Sequence, residues 1–389
     1  MTTPVRIGFI PLVDCAPLVA LHEIGFAREE GLEIILSRET SWSNVRDKLA
    51  VRLYDASHLL APMALATNLG LAGPRAEVVA PYVLNLNGDV ICASNRLLGL
   101  VTDPGLGGAE AMLEAIRRNV LGRPVVLGVP FFFSTHHYLA RYWLASAGID
   151  LDRQVRIEVI PPPLMADAVR SGVIDGFCVG EPWGSVAVDA DLAAIALPGR
   201  SVWAAAPEKV LGLRRDWVDE RRDDLHRLLR GLYRASVWVA EPGNRLILSE
   251  LLAAERYLNT PAEAIERALS GSLTLTPKGA QARIDRFLVF HNASATFPWR
   301  SQALWFYQQM VRWGHIPANS EAAATARRTF DPGLYREALA ATALDLPGAN
   351  SKLEGALDGP TPAASLRGRL FLGPDRFCDG VVFDPDAVS

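Results

Sequence analysis

The sequence predicts an α/β protein made of two similar lobes that face each other across a cleft, and three observations predict it. At 389 residues the chain is too long for one small core. Apolar, strand-like runs alternate with segments of helical spacing, which is the grammar of open, mainly parallel sheets. The pattern also repeats: DASHLLAP, Asp55 to Pro62, recurs as DGFCVGEP, Asp175 to Pro182, 120 residues later, and Gly8 and Gly128 share that separation. An Asp before a strand is often only a turn residue. Several matches at one separation point to two lobes of similar build.

The elements follow in order. RIGFIPLVD is a buried strand by its continuous apolar character, and APLVALHEIGFAREEGL follows it with helical spacing. LEIILSRE is a second strand. SWSNVRDKLAVRL opens on a serine and carries its charges on one side, as a short amphipathic helix does. YDASHLLAP is a third strand. The same grammar restarts with the strand RPVVLGVPFFF, the helix HHYLARYWLASAG, the strand VRIEVIPPP, the helix MADAVRSG and the strand IDGFCVGEP. The region from DLHRLLRGLYRASVWVAEP to LWFYQQMVRWGHIP reads as helical and is expected to pack on the first lobe. Beyond Leu346 the Gly/Pro-rich LPGANSKLEGALDGPTP reads as an extended, loosely ordered tail. Ligands of such sheets bind beyond the carboxyl ends of the strands, so the loops that follow strands are the place to look for a site.

Composition narrows the function. A formal net charge of −4 argues against capture of nucleic acid by bulk charge, so an anion would have to be recognised locally. The four cysteines, Cys15, Cys92, Cys178 and Cys378, are scattered with no CxxC pair, and neither zinc nor any other metal or cofactor is expected. No run approaches the roughly 18 apolar residues of a membrane span. The first residues enter a strand without the apolar region and small-residue cleavage site of a signal peptide, and a cytoplasmic protein is the expectation. There is no P-loop, GxSxG elbow or HExxH helix, and Glu181 has no paired acid or nucleophile. The chain is therefore expected not to be an enzyme, and Glu181 to be a structural or hinge residue.

At the strand-end loops the sequence resembles a known family: the nitrate- and bicarbonate-binding proteins of ABC transporters, together with cytoplasmic nitrate/nitrite sensors of the NasS type. The resemblance is carried, in order, by GFIPLVDCAPLV, SWSNVRDKL, HLLAPM, LNLNGD, STHHYLARYWLASAGI, PPPLMADAVRSGVIDGFCVGEPW and PEKVLG. It implies a periplasmic-binding-protein-like fold of type II, with a hinged ligand cleft between two α/β lobes. Residues 1–88 and 208–389 would form lobe I, and residues 89–207 lobe II. It also implies ligand-binding positions: Trp42 of SW, His136 of TH, Pro162 within PPP, Val179 before GEPW and Lys209 of PEK.

Each position has a chemical rationale and a plainer alternative. Nitrate is flat, weakly basic and singly charged, so its site should offer in-plane donors, one positive charge and a flat apolar surface. Lys209 would supply the charge as a point donor, although an isolated loop lysine is usually a solvated surface group. Relatives specialised for bicarbonate are expected to place an acid there and recruit a metal ion, so Lys209 favours nitrate. The indole of Trp42 could cover the anion and donate its N–H, or simply pack, as most of nine tryptophans must. Ser134 and Thr135 open the helix that contains His136, whose free N–H groups and positive end make a generic anion site. His137 should face elsewhere, and Asp14 is expected to cap the corresponding helix of the first lobe. In LNLNGD the nitrate-type members are expected to carry Gln or Asn where this chain has Asp89. A carboxylate beside an anion is repulsive unless it is protonated, turned away or paired, and Asn87 is the alternative amide donor.

The resemblance thus implies a cytoplasmic sensor that binds nitrate or nitrite and controls an RNA-binding antiterminator of the NasT type, with no direct contact to nucleic acid or membrane. The alternative is the substrate-binding component of a nitrate or bicarbonate ABC transporter. The same fold also hosts pyrimidine-precursor synthases of thiamine metabolism, rich in active-site His and Cys. Here only His136 and His137 cluster.

Overall fold

The structure, a computed structural model, describes residues 3–71, 73–101 and 107–388. Two sheets organise it. The first contains Thr3–Phe9 (β1), Leu32–Arg38 (β2), Ala56–Leu60 (β3), Val78–Asn87 (β4) and, much later in the chain, Pro207–Arg214 (β10). Its order is β4-β10-β3-β1-β2, with the short strand Leu288–Val289 beyond β4. The second contains Asp89–Ser94 (β5), Val125–Val129 (β6), Val155–Val159 (β7), Gly176–Gly180 (β8) and Ala193–Pro198 (β9), in the order β7-β6-β8-β5-β9.

The repeat read from the sequence has a structural counterpart. In the parallel pair β1 and β3, Ile7 stands opposite Ala56 and Gly8 opposite Ser57. In β6 and β8, Leu127 stands opposite Gly176 and Gly128 opposite Phe177, each 120 residues later. The two aspartates make the same backbone clamp. Asp55 accepts the Arg6 N–H on Oδ2 at 2.8 Å while its own N–H donates to the Arg6 carbonyl. Asp175 treats Val126 in the same way, with Oδ2 at 2.9 Å from the amide nitrogen. The Asp before each strand is thus a part of the fold that ties the start of one strand to its parallel neighbour.

The sheets are not wholly parallel. β10 runs antiparallel to both β3 and β4, and β5 runs antiparallel to both β8 and β9. These are the strands on which the chain arrives after crossing from the other sheet, so they start at the cleft, where their neighbours end. The outward crossing is abrupt: Asn87, the last residue of β4, and Gly88, the single residue before β5, both have positive φ, 58° and 96°. Glycine adopts that conformation at little cost. Asn87 is held in it because its side chain is fully engaged: Nδ2 donates to the carbonyls of Ala204 and Arg286 and Oδ1 accepts the Ala206 N–H.

Two hydrophobic layers cover the sheets, and each contains residues of both. One gathers Val5 and Ile7 of β1 with Phe177 and Val179 of β8. The other gathers Leu59 of β3 with Ile91 of β5 and Cys178 of β8. The later helices pack as expected on the first sheet's side, Arg222–Ala240 against Ala16–Glu23. They also reach the second sheet's helices: Tyr138, in the helix Thr135–Ser146, lies against Phe306 and His315.

The Gly/Pro-rich tail is ordered by contacts that its composition does not reveal. Buried Glu354 and Asp375 share Lys352 Nζ at 2.5 Å each, and Ser301 Oγ donates to Glu354 at 2.6 Å. Phe377 stacks on Trp203, with ring centroids 5.0 Å apart, and the Cys378 N–H donates to the Val202 carbonyl. Gly and Pro prevent regular elements here, but burial of charge and aromatic surface fixes the path. The tail therefore clasps the return crossing between β9 and β10. Among the described residues the cysteines are free, and no helix is long and apolar enough to cross a membrane.

Candidate functional site

The cleft ends of the strands bring together a buried polar cluster. Lys209, at the start of β10, has no exposed surface; its Nζ lies 2.6 Å from Asp14 Oδ2 and 2.7 Å from Glu208 Oε1. Trp42, the first residue of the helix Trp42–Ala50, lays its ring 5.4 Å from Lys209 Nζ, a cation–π arrangement, and 5.5 Å from the ring of His58. His58, on β3, accepts the Ile10 N–H on Nδ1 at 3.5 Å. That leaves its hydrogen on Nε2, 3.1 Å from Asp14 Oδ1.

The second sheet contributes His136, whose Nδ1 is 3.2 Å from Glu208 Oε1, and Asp89, whose Oδ2 accepts from Cys178 Sγ at 3.6 Å. Gly180 is the meeting point. A Cβ there would stand 3.2 Å from Leu12 and 3.5 Å from both Asp14 Oδ2 and His136 Nε2. Gly180 is also the register partner of Asp89. Several polar atoms in this enclosure have no hydrogen-bond partner: Trp42 Nε1, both ring nitrogens of His136, His58 Nε2 and the oxygens Asp14 Oδ1, Asp89 Oδ1, Asn85 Oδ1 and Glu208 Oε2. Buried polar atoms are rarely left unpaired unless something else is meant to meet them.

Titration behaviour follows from burial and from the single ammonium. Burial alone would raise the Asp14 carboxyl, but Lys209 and then His58 outweigh it and hold it at about 2. Burial pushes Glu208 up to about 8, against the pull of Lys209, with Asp89 adding to the rise. Burial likewise pushes Asp89 up to about 6, partly offset by Lys209. Burial disfavours the Lys209 cation, yet Asp14 and Glu208 more than compensate and its value is raised. Burial, with Lys209 acting in the same direction, holds His136 well below its ordinary range, so it is neutral. Neutral His136 and charged Lys209 therefore face carboxyl groups of different protonation states. Among the described residues no group of three or more His, Cys, Asp or Glu side chains is placed to hold a metal ion.

The structure distributes the residues singled out in the sequence unevenly. Trp42, Asp89, His136 and Lys209 meet around Gly180. Asn87 does not offer its amide to the cleft, because three backbone groups occupy it; Asn85, which stands opposite Lys209 in the β4–β10 pairing, has the buried unpartnered amide oxygen. Val179 sends its side chain into the first hydrophobic layer, since alternation along β8 turns Cys178 and Gly180 to the cluster and Val179 away. Pro162 opens the short turn after the edge strand β7, with β6 between it and β8. His137 turns aside as expected, its Nδ1 2.6 Å from the Phe132 carbonyl. Asp14 is not a helix cap: no side-chain bond caps that helix, and the carboxylate is spent on Lys209 and His58.

Residues 1–253 match the NMT1-like family. The nitrate/nitrite binding protein NrtA of Synechococcus elongatus is 31% identical over 98% of this chain and 84% of its own length. The chain belongs to the NMT1-like family. The crystal structure of the periplasmic nitrate-binding protein NrtA from Synechocystis PCC 6803 superposes with a TM-score of 0.86 at 26% identity, covering 100% of this chain and 99% of that one. The bicarbonate transport ATP-binding protein CmpC of Synechococcus elongatus is 32% identical over 80% of this chain and 45% of its own length. The two-lobed, periplasmic-binding-protein-like architecture is thus that of this NMT1-like chain. Its named relatives above are transport and binding proteins.

Two members of the cluster were hidden in the sequence for physical reasons. In an ordinary strand Glu208 and Lys209 would point to opposite faces. The β4–β10 pairing slips on either side of Lys209, and such a bulge re-aims a side chain, here Glu208, into the same enclosure. His58 sits in a wholly buried strand, where a lone histidine reads as a packed core residue. The motif HLLAPM, which it opens, is the only signal that could have found it.

Proposed function

We propose that this chain is a receptor for a planar monoanionic oxyanion, nitrate or nitrite, held between the lobes against Lys209 and Trp42 and bound together with a proton. The observation that carries this reading is the enclosure around Gly180, where one buried ammonium lies beside the unpartnered Trp42 N–H and the unpartnered ring of His136. The names of its relatives NrtA supply the ligand class.

The proton follows from counting charge. Lys209 stands among three buried carboxyl groups, Asp14, Glu208 and Asp89. An added anion in a fully desolvated space is costly by several kcal/mol per uncompensated charge, so the acids that are easiest to protonate must be neutral when it arrives. Burial makes Glu208, pushed up to about 8, the most easily protonated of the three. With its proton directed at His136 Nδ1, 3.2 Å away, Glu208 would leave the ring hydrogen on Nε2, toward Gly180. A protonated Asp89 becomes a donor and does what an amide would do at that position. Asp89 is packed on Gly199, where a Cβ would stand 2.2 Å from Oδ1, which leaves little room for the longer glutamine side chain.

Isothermal titration with nitrate, nitrite and bicarbonate tests the reading. Heat with a nitrogen oxyanion that changes with buffer ionisation enthalpy, by about one proton per ion at pH 7.5, supports it. No heat with either nitrogen oxyanion overturns it. Bicarbonate binding without proton uptake would mean that the ligand's own hydroxyl donates to an ionised Asp89.

Delivery to a membrane permease is the role that the relatives favour. A second reading is a cytoplasmic sensor that holds an RNA-binding antiterminator of the NasT type and releases it on ligand binding; it rests on the likeness of SWSNVRDKL and GFCVGEPW to a family that includes such sensors beside transport receptors. Pull-down from cells grown with and without nitrate separates the two, since only a sensor yields the antiterminator from nitrate-free cells alone.

A further inference from the structure

At the far end of β4 from the crossing lies a second cavity of quite different chemistry. It has a volume of about 530 Å³ and is lined by four arginines, Arg75, Arg215, Arg300 and Arg328, against two carboxylates, Glu77 and Asp331. Val78, the first residue of β4, is in its wall, whereas Asn87, the last, marks the cleft. Ten residues of strand separate the two, roughly 30 Å at the usual rise.

The positive charge there is not internally compensated. Arg215 reaches Asp331 at 3.3 Å. Among the described residues Arg75, Arg300 and Arg328 have no carboxylate within ion-pairing distance, Arg328 having only the hydroxyl of Thr325 at 3.3 Å. The Arg300 Nε is buried and has no hydrogen-bond partner. Arg300 is also the first residue of a thirteen-residue helix, Arg300–Arg312, whose amino-terminal end adds positive potential. Its charge is felt nearby: burial and the neighbouring Arg300 hold Arg336 below its ordinary value. A chain of net charge −4 thus concentrates a surplus of two positive charges in one concave place.

We propose that this cavity is a binding site for a dianionic phosphate group, free or as a monoester, distinct from the cleft. Guanidinium groups present planar forks that match phosphate oxygens in pairs, which a lysine cannot do. The surplus of two charges matches a dianion, whereas the single Lys209 of the cleft suits a monoanion. The volume lies in the range of small-molecule sites, and the lining has only Ala76 and Val78 as apolar walls, which disfavours an uncharged hydrophobic ligand.

The test is isothermal titration of the full chain at low ionic strength with inorganic phosphate and, in a second arm, adenosine monophosphate, each with and without saturating nitrate. The expected result is one-to-one binding of at least one of them, weakened at least tenfold in Arg300→Ala and in the exposed pair Arg75→Ala/Arg328→Ala. Nitrate affinity should be unchanged in the exposed pair, which lies outside the folded core. Phosphate binding alone identifies the free ion, and tighter binding of the monophosphate identifies an ester. Absence of saturable binding by both, equal binding in the exposed pair, or displacement by nitrate overturns the proposal.

Discussion

Leu60 and Gly180 stand 120 residues apart at the cleft ends of β3 and β8, and each is paired with a residue at the start of a crossing strand. Leu60 is opposite Lys209, and Gly180 is opposite Asp89. One scaffold position, built twice, therefore carries opposite charges in the two sheets. The two are also treated differently by their surroundings. Lys209 is met by Asp14 and Glu208 within hydrogen-bonding distance, whereas Asp89 has a thiol at 3.6 Å and one oxygen with no partner. The repeat supplies geometry, and its departures supply chemistry. The positive half is stable by itself, so the negative half is where protonation can decide whether an anion fits.

The largest expected effect comes from breaking the positive half. Lys209→Met should weaken nitrate or nitrite binding about 100-fold or more by titration calorimetry. It should also lower unfolding stability by about 3 kcal/mol in urea, because Asp14 is left as a buried charge without its main partner. A loop lysine on the surface could be replaced with little loss of stability; the complete burial of Lys209 in an ion-paired cluster makes its replacement costly.

Neutralising the negative half should do the opposite at alkaline pH. A carboxyl that must be protonated to accept the anion leaves affinity flat below about 6 and costs about tenfold per pH unit above it. Above about 8 the slope should steepen as Glu208 also ionises. Asp89→Asn should therefore bind nitrate about 100-fold more tightly than the native chain at pH 8 and about equally at pH 5. An unaltered pH profile in this variant would remove Asp89 from the site.

The paired clamps offer a smaller contrast. Asp175 is fully buried; burial raises its carboxyl, but Arg123, the Val126 N–H and Arg96 hold it below the ordinary range. Asp55 clamps Arg6 near the surface. Asp175→Asn should cost about 3 kcal/mol in urea unfolding and Asp55→Asn about 1 kcal/mol. Equal losses would mean that the backbone clamp, common to both, dominates over the arginines. The smallest effect is that of Trp42→Phe, which keeps the ring over Lys209 and removes the unpartnered N–H. Anion affinity should fall about fivefold, one neutral hydrogen bond's worth.

The alternation of strands and helices and the 120-residue repeat were legible because side-chain periodicity and turn chemistry are local properties. Lys209, Trp42, His136 and Asp89 were legible as members of motifs. What escaped depended on distant or irregular structure. The antiparallel crossing strands follow from topology, which apolar runs do not encode. Glu208 enters the cluster through a bulge that breaks the period of two. Asp14 looked like a cap because its partner, Lys209, is 195 residues away. Asn87 looked like a donor because nothing local shows that Ala204, Ala206 and Arg286 would absorb its amide. The tail looked loose because composition reports the lack of regular elements and is silent on Phe377 meeting Trp203.

The complete burial of Lys209, His136 and Asp89 has a consequence in time. A small ion cannot enter or leave between these side chains while the sheets are held together by bonds such as Trp183 Nε1 to the Pro11 carbonyl and Thr135 Oγ1 to the Pro207 carbonyl, each 2.9 Å. Exchange must wait for the two halves to part. The observed binding rate should then level off as ion concentration rises, and the plateau is the frequency with which the empty protein opens. For the oxyanion proposed above, residence in the closed cleft would be limited by the same movement, so that slow release would follow from burial itself.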